Sequence, residues 1–223
     1  MSWGAIVVAA GRGTRFGRPK QLVALAGKPM LAWSLETFAT LHEVAAVVIA
    51  TEPELIAQVQ ALMPQARVVA GGAERQDSVR LALAELPERC ERVLVHDGAR
   101  PLVRAEDVRR GMEVVAPHVG ALLATPVVDT IKQLDAGGKV IRTLDRAQLW
   151  QAQTPQFAMS ADLRRAHRDA FKNGLRVTDD ATLLERAGFD VIAIEASAEN
   201  FKVTLPGDLA RAEAILRERI AAG

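Results

Sequence analysis

Ala5-Ile6-Val7-Val8-Ala9-Ala10-Gly11-Arg12-Gly13-Thr14-Arg15, closed by Pro19-Lys20, decides how this chain is read. The apolar run suits a strand buried on both faces, and it opens into a glycine loop armed with cations. Two glycines let the backbone turn and bring bare N–H groups close to a ligand, while Arg15 and Lys20 add full positive charges to the same short loop. Such a loop suits a polyphosphate. No register of residues 11 to 21 supplies the Walker spacing of glycines before Lys-Ser/Thr, which argues against a P-loop NTPase. The dinucleotide fingerprint asks for a third glycine where Phe16 stands, and the next strand ends at Glu52, too far along for the ribose acid. The plainer reading is a glycine-rich βα turn with solvated Arg and Lys, and the residues downstream weigh against it.

With 223 residues, 49% of them hydrophobic, and no Ser/Gly- or Pro-rich linker, residues 1–223 are expected to form one domain. The 28 basic residues against 27 acidic ones give a formal net charge of +1 with no Lys/Arg block, which argues against nucleic acid and an anionic membrane as partners. Cys90 stands alone, so no internal disulfide forms and a reducing compartment fits. The first apolar segment is too short to span a membrane and lacks a basic flank, so a cytoplasmic protein is expected.

Apolar runs alternate with amphipathic segments. Strands are predicted near 4–10, 44–50, 67–70, 92–96 and 119–125, with helices at 29–40, 53–63, 74–86 and 105–116 between them. This is an α/β pattern: a Rossmann-like, mostly parallel twisted sheet flanked by helices. Ligands of such sheets bind beyond the carboxyl ends of the strands, where the polar clusters fall. Residues 127–146 break the rhythm as two strands around Asp135-Ala136-Gly137-Gly138, a protruding β-hairpin. A two-stranded ribbon is marginal alone, so it is expected to pack on another subunit as the arm of a homodimer. Helices at 160–173, 179–187 and 207–221 and strands at 191–194 and 201–203 complete the prediction.

Three further clusters carry chemistry. Gly71-Gly72-Ala73-Glu74-Arg75-Gln76-Asp77-Ser78 lies between a strand and a helix, and its backbone groups with the Ser78 hydroxyl can match the donors and acceptors of a cytosine edge; an ordinary capped helix explains the spacing equally well. His96-Asp97-Gly98-Ala99-Arg100-Pro101 follows a central strand. Asp97 can hold Mg²⁺ on triphosphate oxygens, and Arg100 can fork onto a second phosphate; an Asx turn and a surface ion pair are the plainer alternatives. His96 reads as a strand-end hydrogen-bonding residue, because the four histidines show no metal-ligand spacing. Lys202, between Phe201 and Val203, is a routine exposed lysine on its own and a third candidate cation beside the other clusters.

Taken together, Ala9-Ala10-Gly11-x-Gly13-x-Arg15, Pro19-Lys20-Gln21, Gly71-Gly72-x-Glu74-Arg75, His96-Asp97-x-Ala99-Arg100-Pro101, Asp129-Thr130, Gln153-Thr154-Pro155-Gln156, Thr178-Asp179-Asp180 and Lys202-Val203-Thr204 resemble the 2-C-methyl-D-erythritol 4-phosphate cytidylyltransferases nearly end to end. The resemblance implies transfer of CMP from CTP to methylerythritol phosphate with release of pyrophosphate, a step of non-mevalonate isoprenoid synthesis, with Mg²⁺ as cofactor. It implies that Ala9, Ala10, Gly11, Gly13, Gly72, Ala73 and Ser78 contact CTP, that Arg15 and Lys20 hold its phosphates and stabilise the transition state, and that Asp97 serves the metal. It further implies that Gly98, Arg100, Thr154 and the catalytic Lys202 meet the polyol phosphate, with Thr130 and Arg146 reaching across from the partner's arm. Val8 departs from a frequent proline, Ala73 from an acid and Gly98 from alanine; the last two are replaceable if they bind through backbone amides. Ribitol 5-phosphate as acceptor, and a catalytically silent nucleotide-binding module, remain as rival readings.

Overall fold

The computed structural model of the protein describes residues 2–11 and 19–222. In chain order, β1 (Ser2–Ala9) leads to the short ribbon β2 (Ala24–Leu25) and β3 (Lys28–Pro29), then α1 (Met30–Ala39), β4 (Val44–Thr51), α2 (Ile56–Leu62), β5 (Arg67–Ala70), α3 (Arg75–Glu85), β6 (Cys90–Asp97), α4 (Ala105–Glu113) and β7 (Val119–Pro126). The hairpin β8 (Lys132–Leu134) and β9 (Val140–Thr143) follows, then β10 (Trp150–Met159), α5 (Ser160–Lys172), α6 (Asp180–Arg186), β11 (Asp190–Glu195) and α7 (Pro206–Ala222). The predicted alternation of strand and helix is therefore present through β7.

One seven-stranded sheet runs in the order β11-β7-β10-β6-β1-β4-β5. β1 pairs in parallel with both β4 and β6, and β5 and β11 are also parallel to their neighbours. Both faces of β1 are covered: Ala5, Val7 and Ala9 join the cluster that holds α1, α2 and α4, and Ile6 joins the one that holds α3, α5 and α6. Period-two alternation between two apolar clusters is why its sequence is an unbroken hydrophobic run. Helix α7 closes the end near β2 and β3, where Leu25, Met30, Leu102, Val203, Ala212 and Leu216 pack together.

Three expectations are corrected. The sequence predicts no strand over 150–159, yet β10 runs antiparallel between β6 and β7. Its sequence, Trp-Gln-Ala-Gln-Thr-Pro-Gln-Phe-Ala-Met, carries polar residues and a proline where a central strand is normally apolar. Pro155 is accommodated because the ladder to β7 breaks between Ala152 and Gln156, and there the Thr154–Pro155 peptide is cis. The strand predicted at 201–203 is irregular; one ladder-like bond, from the Val203 amide to the Ala99 carbonyl at 2.8 Å, holds it to the turn after β6. The predicted helix at 53–63 opens as a 3₁₀ turn, Pro53–Leu55, before α2 begins.

The hairpin forms its own two-stranded sheet. The Asp135 carboxylate closes its turn by accepting from the amides of Gly137 and Lys139, both at 2.9 Å. Every residue of β8 and β9 is exposed, and so are Val128, Leu134, Val140, Ile141 and Trp150, an apolar set that none of the described residues covers.

Candidate active site

A cavity of about 800 Å³ opens beyond the carboxyl ends of β1, β4, β5 and β6. Ala9, Ala10, Gly11, Lys20, Gly72, Ala73, Ser78, Asp97, Gly98 and Lys202 all line it, so residues spread across the whole sequence meet at one place. A smaller hollow of about 170 Å³ is lined by Arg100, Thr154, Gln156 and Thr178 and shares Arg75, Asp97 and Lys202 with the first. Two compartments with a common charged wall suit two ligands that react with one another. Gly13 and Arg15 lie outside the described residues. Thr130 and Arg146 line neither hollow; Arg146 turns back along the hairpin and donates to the Val128 carbonyl.

The glycines of the second loop are demanded by close approach. A Cβ on Gly71 would lie 2.3 Å from the Ala10 Cβ, an atom fixed to the first loop's backbone, so a side chain there would push the two loops apart. The Gly71 amide extends the ladder to the Thr51 carbonyl at 2.7 Å, and the Gly72 amide donates to Ser78 Oγ at 3.0 Å. Ser78 in turn donates its hydroxyl proton to the Glu74 carbonyl at 3.1 Å. This revises the sequence reading, because the hydroxyl proton offered to a base is already engaged in shaping the loop. The Gly98 amide is engaged as well, donating to the Val8 carbonyl at 2.9 Å, so it is not available to a substrate.

Asp97 ends β6 and is buried at the wall between the hollows. Arg75 Nε donates to its Oδ1 at 2.9 Å and Lys202 Nζ to its Oδ2 at 2.7 Å. Burial alone would raise the Asp97 carboxyl; the Arg75 and Lys202 charges overcome it and hold the group well below the usual carboxylate range. The same arginine donates through Nη1 to Asp180 Oδ2 at 2.7 Å, and Asp180 is likewise held ionised against its burial by the Arg75 charge. Removing one member of so buried a group leaves its partners uncompensated, at a cost of about 3–5 kcal/mol. From the opposite side, Lys20 Nζ donates to the Val203 carbonyl at 2.9 Å. Lys20 and Lys202 thereby reach the same strip of wall from opposite ends of the sequence. Gln21, buried beside Lys20, anchors the 3₁₀ turn Lys20–Leu22 by donating to Glu52 Oε2 at 2.6 Å.

His96 occupies the interior beneath this turn, in edge contact with Phe38. Its Nε2 lies 3.1 Å from the Arg100 carbonyl, which can only accept, so the proton sits on Nε2. Nδ1 then accepts from the Thr154 hydroxyl at 3.1 Å, and Thr154 Oγ1 accepts from the Asp97 amide at 3.0 Å. The chain of bonds has one direction and a neutral imidazole at its centre, as the sequence reading of a strand-end hydrogen-bonding residue expects. Burial pushes His96 down to about 4, only partly opposed by Asp97. Between the unfolded pKa near 6.5 and that value, the unfolded chain binds a proton that the folded one refuses, so the contribution is complete above pH 6.5 and is lost as pH falls towards 4. Denaturant titrations at pH 7 and pH 4.5 are expected to show a larger stability loss in the wild type than in His96→Gln, by roughly 2–3 kcal/mol. Equal losses would remove His96 from this role.

Arg100 is shaped by its surroundings too. Its Nη1 donates to the Asn200 carbonyl at 2.8 Å and Nη2 to the Ala152 carbonyl at 3.3 Å, fixing the guanidinium at the edge of the smaller hollow. Asn200, fully buried, donates to Gln153 Oε1 and the Thr154 carbonyl, both at 2.9 Å. The sequence assigns no individual role to Asn200, Asp180 or Arg75; their partners are remote in sequence, so no local spacing could have assigned them.

No group of three or more His, Cys, Asp or Glu among the described residues could enclose a metal alone. Asp97 nonetheless fits Mg²⁺ delivered with a triphosphate, since magnesium takes one or two carboxylates and completes its shell with phosphate oxygens and water. Each Asp97 oxygen retains a lone pair beyond the one used by its cationic partner.

Known proteins share this architecture. The model of a family described as IspD: 2-C-methyl-D-erythritol 4-phosphate cytidylyltransferase matches residues 4–218. Proteins of that name from Prochlorococcus marinus (strain MIT 9313) and Alkaliphilus metalliredigens (strain QYMF) are each 42% identical to the chain, covering 96% of it and 98% and 92% of their own lengths. The crystal structure of the protein of that name from Thermus thermophilus superimposes with a TM-score of 0.81 at 34% identity, over 95% of this chain and 98% of that one.

Proposed function

The chain belongs to the 2-C-methyl-D-erythritol 4-phosphate cytidylyltransferase family, and from that membership we infer that it transfers CMP from CTP to 2-C-methyl-D-erythritol 4-phosphate, giving 4-diphosphocytidyl-2-C-methyl-D-erythritol and pyrophosphate in isoprenoid biosynthesis. The observation that carries the reading is the meeting of Lys202 and Asp97 at the wall shared by two hollows, with Lys20 lining the larger hollow and bonded to the Val203 carbonyl next to Lys202. CTP occupies the larger hollow against Ala9, Ala10, Gly11, Gly72, Ala73 and Ser78, and the polyol phosphate the smaller one against Arg100, Thr154 and Lys202. Gly13 and Arg15 complete the phosphate loop on the strength of the family resemblance. Gly98 lines the larger hollow, where the alanine frequent in the family would place its Cβ 2.8 Å from the movable Leu31 Cδ1 and 3.3 Å from the Val8 carbonyl.

The nucleophile is an oxygen of the acceptor phosphate. With a second pKa near 6 it is largely ionised at neutral pH, so no general base is required. A bond forms from that oxygen to the α-phosphorus of CTP, and the bond from the α-phosphorus to the bridging oxygen breaks, that oxygen leaving with its electron pair in pyrophosphate. The obstacle is repulsion between anions, roughly 4 kcal/mol per pair of unit charges at 4 Å with an effective dielectric near 20. Lys20 and Arg15 neutralise the triphosphate, Lys202 and Arg100 draw in the acceptor, and fixed cations aimed at the charge that develops lower the barrier without reorganisation. Mg²⁺ held by Asp97 would add charge neutralisation on the triphosphate oxygens.

Residues 1–223 act as one catalytic unit, in the cytoplasm, as a homodimer. The uncovered apolar residues of the hairpin support the dimer, and Thr130 and Arg146, remote from both hollows of their own chain, are assigned to the acceptor site of the partner. Pyrophosphate release from CTP with methylerythritol phosphate, beside ribitol 5-phosphate as acceptor and ATP, GTP and UTP as donors, is expected to be selective for CTP and methylerythritol phosphate. Selectivity for ribitol phosphate would move the chain to another acceptor, and binding of CTP without release would make it a silent module.

A further inference from the structure

Arg75 is the first residue of α3 and Asp180 the first of α6, and they meet across 105 positions of sequence. The arginine lines both hollows, yet its guanidinium is engaged from two sides: Nε bonds Asp97 Oδ1 and Nη1 bonds Asp180 Oδ2. Asp180 is buried and its other oxygen lies 3.5 Å from Nε2 of the buried His167, so the far end of the clamp is set in the interior against α5. The near end fixes the plane of the Asp97 carboxylate. One oxygen is taken by Arg75, and the other faces Lys202, which uses one of its three ammonium protons there.

Without the arginine, Lys202 would be the main counter-charge of a buried carboxylate and would be drawn onto it, away from an incoming phosphate. With it, the burden of holding Asp97 ionised is divided. We infer that Arg75, clamped by Asp180, is a positioning residue that orients Asp97 and leaves Lys202 able to bind the acceptor phosphate, acting on the reaction through those two residues. The inference rests on the cytidylyl-transfer reading. Its fork geometry is what lysine lacks, since two acids lying in different directions are bonded by different nitrogens of one rigid plane.

The test is a cycle of Arg75→Met, Arg75→Lys, Asp180→Asn and the Arg75→Met/Asp180→Asn double variant, with kcat, both KM values and Tm measured on each. Arg75→Met is expected to lower kcat roughly 100-fold and Arg75→Lys roughly 10-fold, with the KM for CTP changed less than about threefold. Asp180→Asn is expected to lower kcat by itself but by less than about twofold more in the Arg75→Met background, because it acts through the arginine. Should Arg75→Met not fold, the same cycle is run on Arg75→Lys. Loss of Tm with kcat within twofold of wild type would reduce Arg75 to a structural role and overturn the inference, as would an undiminished Asp180 effect in the double variant. A raised KM for CTP with an intact kcat and an unchanged acceptor KM would make Arg75 a nucleotide-binding residue, which also overturns it. A wild-type chain that binds CTP without releasing pyrophosphate would instead defeat the underlying reading, and the inference with it.

Discussion

Lys20→Ala is expected to lower kcat roughly 100- to 1,000-fold while raising the KM for CTP less than about threefold. The asymmetry follows from where the charge is needed. In the proposed site, ground-state CTP would be held by many contacts along a cavity of about 800 Å³, so losing one ammonium would remove a small share of binding. In the transition state negative charge accumulates on the oxygens around the α-phosphorus and on the departing bridge, and a cation fixed there contributes most. Lys20 is fixed: it follows Pro19, its neighbour Gln21 is buried and bonded to Glu52, and its ammonium is tied to the Val203 carbonyl beside Lys202. Steady-state kinetics decide the matter. A variant with unchanged kcat and a raised KM would make Lys20 a binding group only.

The hairpin carries the second large effect. Val140→Glu combined with Ile141→Glu places two charges among the exposed apolar residues of β9 and is expected to yield a monomer by light scattering. On the proposed homodimer, the same variant is expected to lose roughly 100-fold in kcat/KM for the acceptor, because the proposed reach of Thr130 and Arg146 into the partner's smaller hollow would be lost. CTP affinity is expected to hold, since neither residue lines the larger hollow. Arg146→Ala is expected to reproduce the acceptor defect without dissociating the dimer. Mixing Arg146→Ala subunits with Lys20→Ala subunits should then restore activity, because in one of the two sites an intact Lys20 meets an intact Arg146 from the other chain. A fully active monomer, or no recovery on mixing, would place the arm outside the reaction.

Some of this molecule is legible from its residues and some is not, for physical reasons. β1 can be read because a strand buried on both faces in a parallel sheet must be apolar throughout. β10 cannot be read, because Gln153, Thr154 and Gln156 among its buried residues are polar and are satisfied by remote partners. Gln153 accepts from Asn200, while Gln156 donates to Asp179 Oδ2 and accepts from the Ala181 amide. Hydrophobic periodicity is silent about polar groups buried in pairs. The Arg75–Asp180 clamp is hidden for the same reason: each residue sits at a helix start, where a charged side chain is ordinarily taken as solvated. The sequence places Lys202 on a strand that does not form, yet its side chain reaches the site because the Val203 amide and the Lys20 ammonium both tie that segment to the turn after β6 or the loop after β1.

The reaction itself is tested most directly by following the acceptor's phosphate oxygens. Methylerythritol phosphate carrying ¹⁸O at all its non-bridging phosphate positions is incubated with CTP and the chain, and the products are examined by ³¹P NMR. Attack by that phosphate on the α-phosphorus puts a labelled oxygen in the new bridge, so both phosphorus signals of the cytidine diphosphate product are expected to show an isotope shift and pyrophosphate none. Label in pyrophosphate, a shift on only one phosphorus of the product, or no product at all would contradict CMP transfer to the acceptor's phosphate.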